Sequence, residues 1–165
     1  MPDTVRYTFG IDNGKQGFIK EWKLDSDPEQ SPIWAELGDV LALGGSLADG
    51  SRYSAPYLFT HFPEQYDAFQ YLAVIGDGVV VREAASPDAA PLTRLSWTVV
   101  KAGGPPVGPQ QTVDGRSYGW RPVVLEDGRE GYVLERYVRS PIDYRLLLGK
   151  NKAGDWEIQA FVAGD

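Results

Sequence analysis

The stretch Trp120-Arg121-Pro122-Val123-Val124-Leu125-Glu126-Asp127-Gly128-Arg129-Glu130-Gly131-Tyr132-Val133-Leu134-Glu135-Arg136-Tyr137-Val138 decides the fold. Two short apolar runs, Val123-Val124 and Tyr132-Val133, flank Asp127-Gly128. That dipeptide suits a primed turn between twisted antiparallel strands, because both positions tolerate positive φ. Gly131 suits a bulge or a close backbone approach where a small barrel must bend. Val and Tyr at alternating positions fit a pleated, half-buried surface. The segment therefore reads as a β-hairpin with one apolar face.

On the N-terminal side the same texture begins at Tyr71. Leu72, Val74, Val79, Val81, Leu92, Leu95 and Val99 lie in short runs separated by turn residues. Lys101 to Gly119 interrupts them with Gly103-Gly104-Pro105-Pro106 and Gly108-Pro109, which reads as one long Gly/Pro loop, 101–119, of the length that is commonly functional or disordered.

These motifs, taken in order, resemble the bacterial SH3 domain family. Val79-Val80-Val81-Arg82 followed by Glu83-Ala84-Ala85-Ser86-Pro87-Asp88 is similar to the family's opening strand and small-residue loop. Leu92-Thr93-Arg94-Leu95-Ser96 matches the next strand. Trp120, Val123-Val124, Asp127-Gly128, Gly131-Tyr132-Val133 and Tyr137-Val138 match its closing signature. The resemblance covers about residues 71–140 and implies an SH3-like small β-barrel. The tail, Trp156 to Asp165, looks like that of exported bacterial proteins carrying this domain.

Outside that region the reading rests on periodicity. Tyr7, Phe9 and Ile11 alternate with polar residues, and Asn13-Gly14 is a hairpin turn, so Val5 to Trp22 reads as a β-hairpin. Ser31 as N-cap, Pro32 at the first helical position, apolar Ile33, Leu37, Val40 and Leu41, and the stop Gly44-Gly45 predict one helix from Pro32 to about Leu43. Arg52 to Phe69 is aromatic-rich and broken by Pro56 and Pro63; Pro56 to Thr60 reads as a short strand and the rest as a covering loop. Tyr144 to Leu148 and Trp156 to Val162 read as a C-terminal hairpin, with Trp156, Ile158, Ala160 and Val162 on one face. The expected fold class is mainly β: the barrel plus an α+β portion of N-terminal hairpin, one helix and C-terminal hairpin. Its divisions are 1–70, 71–140 and 141–165, the last packing with the first because an isolated hairpin is marginal in water.

Composition narrows the chemistry. With 165 residues, 42% apolar and 24% charged, the chain has the make-up of a folded soluble protein. It contains no cysteine, which closes thiol catalysis, thiolate metal sites and disulfides, and one histidine, which closes multi-His zinc sites. A net charge of -7 with scattered acids argues against nucleic acid and against anionic lipid surfaces. No apolar run reaches the ~20 residues of a membrane span. The start, Met1-Pro2-Asp3-Thr4, lacks the basic and apolar regions of a leader. The expected location is therefore periplasmic or extracellular if a leader has been removed, and cytoplasmic otherwise.

His61 sits among aromatics without a Gly-x-Ser-x-Gly elbow, so it reads as structural or merely exposed rather than catalytic. Asp25, Asp27 and Glu29 alternate but lack the rest of a calcium loop, and read as solvated turn residues. Asp67, Asp77, Glu83 and Asp88 leave a carboxylate-dependent hydrolase as a third reading, because spacing in sequence does not place them across a cleft. No cofactor, metal or catalytic residue is expected. The candidate ligand-binding residues are Trp97, Tyr118, Trp120, Tyr132 and Tyr137, aromatics that form either core or a shallow rim groove, and Arg82, which either grips a carboxylate or pairs with a neighbouring acid. The resemblance implies a non-catalytic binding module of the bacterial envelope whose partner is a cell-wall peptide, a glycan or a protein segment. A structural or scaffolding interaction domain is the alternative.

Overall fold

The structure, a computed structural model, describes residues 16–164. Its contacts divide them into two compact units: the chain up to His61 together with Ile142 onward, and Phe62–Pro141. Antiparallel strands dominate both, so the fold is mainly β.

The Phe62–Pro141 unit carries β3 (Tyr71–Val74), β4 (Val79–Arg82), β5 (Pro91–Leu95), β6 (Val99–Ala102), β7 (Val107–Val113), β8 (Arg116–Val124), β9 (Glu130–Leu134) and β10 (Val138–Arg139), with a 3-10 turn at Glu135–Tyr137. The hydrogen-bonded order is β10-β3-β6-β8-β9-β4-β5, and β7 pairs with β8 off this path. The ladder does not close on itself by hydrogen bonds. One core nevertheless joins strands from across it: Leu72 and Val74 of β3, Val79 and Val81 of β4, Val100, Val123, Val133 and Val138. Burying each such side chain contributes about 1.5–3 kcal/mol, and Val81, Val123 and Val133 have at most 1% of their surface exposed.

Two turns differ from expectation. The segment 101–119 is not one long loop. After a short connection it forms the β7–β8 hairpin, with Val113 opposite Arg116 across Asp114-Gly115, and both turn residues have positive φ (50° and 77°). The primed turn therefore lies here. At Asp127-Gly128 only Gly128 has positive φ (82°), Gly128 N–H donates to Leu125 O at 2.9 Å and Leu125 N–H donates to Arg129 O at 2.8 Å. That is a type I turn closed by a left-handed glycine, the form that a longer hairpin loop takes.

The other unit holds a four-stranded antiparallel sheet, β1 (Ser46–Ala48), β2 (Arg52–Ala55), β11 (Arg145–Lys150) and β12 (Trp156–Val162), in that order. Helix α2, Pro32–Ala42, which follows helix α1 at residues 16–21, begins as expected: Ser31 Oγ accepts from Ile33 N–H at 3.3 Å and Pro32 opens the first turn. It is not the only helix. Residues 16–21 are helical where a return strand was expected, because Phe18 and Trp22 are four apart and one helical face buries both. Trp22 N–H donates to Phe18 O at 3.1 Å, the i to i-4 bond of an α-helix. The expected strand and turn over Val5–Gly14 lie outside the described residues. Pro56–Thr60 is not a strand either: Tyr57–His61 forms a short helix, with Phe59 N–H on Pro56 O at 3.0 Å.

Phe18, Trp22, Ile33, Val40, Ala55, Leu146 and Phe161 make the core of this unit. Tyr144 stacks on Phe161 with ring centroids 4.9 Å apart, and Trp22 meets Tyr144 edge-on at 5.2 Å. A register shift in the β11–β12 ladder between Leu147 and Leu148 breaks the expected alternation. Ile158 pairs with Leu148 but Ala160 pairs with Leu147, so Trp156, Ile158 and Phe161 share a face that Ala160 does not. Among the described residues no helix is long and apolar enough to cross a membrane.

Candidate functional site

A groove of about 450 Å³ runs along the Phe62–Pro141 unit, within the size range of small-ligand sites. Trp120, Leu134 and Val80 contribute its apolar lining, with Tyr137, Asp77 and Arg82 among its polar residues. Each arrives by a distinct local cause. Trp120 on β8 stands directly opposite Leu134 on β9, so the two side chains share one face of the hairpin. Tyr137 ends the 3-10 turn, and its carbonyl accepts from Ile75 N–H at 3.0 Å, which ties the turn to the end of β3. Asp77 lies in the Gly76–Gly78 turn. Its Oδ1 accepts from Ser96 Oγ at 2.7 Å, and the same hydroxyl accepts from Gly78 N–H at 2.8 Å. Arg94 clamps that turn from the opposite strand by donating to Gly78 O at 2.9 Å.

The groove brings together three of the six candidate residues. Trp120 is buried, at 2% exposure, yet stands outside the main valine core, so it serves the groove as floor. Its indole N–H is buried without a hydrogen-bond partner, and an orphan donor of this kind costs about 1–3 kcal/mol until an acceptor reaches it. Tyr137 is exposed and forms wall. Arg82 lines the groove too, but its Nη1 donates to Ala89 O at 2.7 Å, inside its own 83–90 loop, rather than pairing with an acid.

The other three candidates do not line the groove. Trp97 is highly exposed at the tip of the β5–β6 turn with φ of 47°. Its backbone N–H reaches Gly76 O at 3.1 Å, and Trp97 is not among the residues that line the groove. Tyr118 is taken by Arg136, whose guanidinium lies 5.9 Å from the ring centroid. Arg136 also pairs with Asp114 at 2.7 Å, tying the 3-10 turn to the tip of the β7–β8 hairpin. Desolvation lowers the pKa of Arg136, but the Tyr118 hydrogen bond and the Asp114 charge outweigh it and hold the group above its ordinary value. Tyr132 is half-buried on β9, opposite Pro122 and Arg82.

Sequence reasoning missed Asp77 as a groove residue, together with Val80, Gln111 and Leu134. Gly76-Asp77-Gly78 carried a turn signal that could have flagged the first. Of the four acids weighed for hydrolysis, the groove holds only Asp77. Asp67 instead accepts from Phe69 N–H at 2.9 Å and from Gln70 Nε2 at 2.8 Å. His61 stacks on Tyr57 at 3.8 Å, with Nδ1 2.9 Å from Thr60 Oγ1 and 3.2 Å from Ser46 Oγ. Asp27 Oδ1 accepts from Gln30 N–H at 3.2 Å, a turn role. Among the described residues no group of three or more His, Asp or Glu side chains is placed to hold a metal ion.

A broader depression of about 580 Å³ includes Tyr66, Tyr71, Asp127 and Arg129. Of its charged residues Asp127 and Arg129 close on each other at 2.8 Å, while Lys101 and Glu126 complete the lining. Comparison with protein-family models, curated proteins and solved structures finds no match for this chain.

Proposed function

We propose that Phe62–Pro141 is a bacterial SH3-type module that binds a short peptide without catalysis. The observation that carries this reading is the groove, where Trp120 and Leu134 form an apolar floor between Tyr137, Asp77 and Arg82. Strand order supports it: a 3-10 turn separates β9 from β10, and β10 returns to pair with β3 at the start of the unit. The Trp120 indole N–H beneath this floor is buried without a hydrogen-bond partner. Asp77 and Arg82 offer opposite charges along one wall, which suits a ligand with both an ammonium and a carboxylate. Stem peptides of the bacterial cell wall have that chemistry. The envelope location and the cell-wall ligand rest on the family resemblance.

Isothermal titration of the full chain with soluble muropeptides tests the proposal, using Tyr137→Ala as the comparison. Tyr137 is exposed enough for truncation to leave the fold intact. Losing an aromatic wall of a binding groove costs about 2 kcal/mol, roughly a 30-fold weaker Kd. Equal affinity of the two proteins, or no heat with either, removes the groove from the account.

A scaffolding role on a protein partner is the second reading. It is favoured by the row Leu47, Tyr53, Leu148 and Ile158, paired across all four strands of the other unit, whose two ends stay exposed.

A further inference from the structure

Strand β7 borders the groove while adding nothing to the valine core. It hydrogen-bonds to β8 alone, most of it is exposed, and none of its residues belongs to the core cluster. Its ladder is also interrupted: Val107 faces Trp120 and Gln111 faces Tyr118, so residues 108–110 have no partner on β8. A strand with so few buried contacts opens more readily than the core strands beside it.

Its position ties it to the groove on three sides. Directly opposed residues of an antiparallel pair share a face, so Val107 stands beside Trp120, the groove floor, and Gln111 reaches the groove itself. The order β4-β9-β8-β7 sets β7 about 14 Å from β4 in a flat sheet. Yet β7 touches the loop that follows β4: a Cβ built at Gly108 meets Ala85 Cβ at 2.7 Å and Ala85 O at 2.9 Å. The sheet therefore curls around the groove and brings its two sides together there. At its other end β7 leads into Asp114, whose carboxylate takes Arg136 of the 3-10 turn at 2.7 Å, and Tyr137, the groove wall, is the next residue. The side chains of that ion pair are 34% and 74% exposed, so it holds weakly and salt screens it.

We propose that β7 is a strap that gates the groove. With Asp114 on Arg136 it keeps Trp120 covered, and parting that pair lets β7 move off the 83–90 loop and admit a ligand. Gating in this sense rests on the reading of the groove as a peptide site.

The test is hydrogen exchange at the Trp120 indole N–H of the full chain, a buried group whose exposure is read without any ligand. Asp114→Asn removes the charge and keeps a residue that tolerates the left-handed backbone at that turn. It should speed indole exchange about 2- to 5-fold, the worth of an exposed ion pair, with the β9 amides unchanged. Salt at about 1 M, where the screening length is about 3 Å, should bring the wild type to the same rate. Gly108→Ala, forced off Ala85, should speed exchange through the other attachment. Indole exchange in Asp114→Asn at the wild-type rate, or equal acceleration in β9, would overturn the proposal. Soluble muropeptide separates the two claims. Binding with indole exchange insensitive to Asp114 retains the peptide reading and overturns the strap; Asp114-dependent exchange without binding supports the strap and counts against the peptide.

Discussion

Replacing Gly131 by alanine tests how tightly the valine core is closed. Gly131 lies on β9 opposite Val123, and a Cβ built there meets Val81 Cγ1 at 2.5 Å, Leu92 Cδ1 at 3.0 Å and the Arg82 carbonyl oxygen at 3.1 Å. The first and last of these cannot yield cheaply. Val81 is fully buried and stiff about χ1, and the Arg82 carbonyl is backbone. Inserting a methyl into such packing costs about 1–3 kcal/mol. Gly38 gives the opposite case, since it lies inside α2 with nothing within 4 Å of its Cβ position. Alanine there should stabilise the helix by about 0.8–1 kcal/mol, the intrinsic difference in propensity. Because two compact units need not unfold together, residue-resolved amide exchange is the suitable assay. With Gly131→Ala, the slowest amides of β8 and β9 should exchange roughly 5- to 140-fold faster. With Gly38→Ala, those of α2 should slow. Unchanged exchange in Gly131→Ala would refute the packing argument, and destabilisation by Gly38→Ala would refute the propensity argument.

Phe161→Ala should cost the sheet-and-helix unit about 3–5 kcal/mol, because Phe161 is 2% exposed and packs against both Tyr144 and Trp22; exchange protection retained in β11 would contradict this. Ser31→Ala removes the N-cap of α2 and also the hydroxyl that donates to Trp22 O, so it should cost about 1–2 kcal/mol, read as faster exchange of the first α2 amides. The Asp127 carboxyl is held below its ordinary 3.8, first by the Arg129 backbone N–H and then by the Arg129 guanidinium. A depressed carboxyl stabilises the fold above its unfolded-state value and loses that contribution as pH falls through the folded one. The β8–β9 tip should therefore lose protection only below about pH 4, and a carboxyl carbon titration with a midpoint at or above 3.8 would contradict the assignment.

The elements legible in the sequence are those whose cause is local. Ser31-Pro32 starts α2 in any context, and the runs Val79-Val80-Val81 and Val123-Val124 form strands because they pack one face against the core. Strand β7 was illegible because it has no apolar face. Most of Val107–Val113 is exposed, and Gly108-Pro109 reads as punctuation, leaving Asp114-Gly115 as its only sign. Residues 16–22 misled for a different reason: Gly17 and a short segment obscure the four-residue spacing of Phe18 and Trp22, which shows only once both are seen in one core. The groove divides similarly. Trp120 and Tyr137 stood out by residue type, but Leu134 and Gln111 reach the groove through cross-strand register, which no local pattern specifies. Tyr118 shares the parity of Trp120 and is lost to the groove through Arg136, a long-range partner.

Peptide binding in the groove floored by Trp120 is read most directly from the indole and amide 1H–15N spectrum of the full chain titrated with soluble muropeptides. Saturable shifts are expected at the Trp120 indole N–H, Tyr137, Gln111 and Gly76 to Gly78, with the Trp97 and Tyr132 signals unmoved. Silence at those groove signals with millimolar muropeptide, or shifts confined to Leu47 and Ile158, would contradict it.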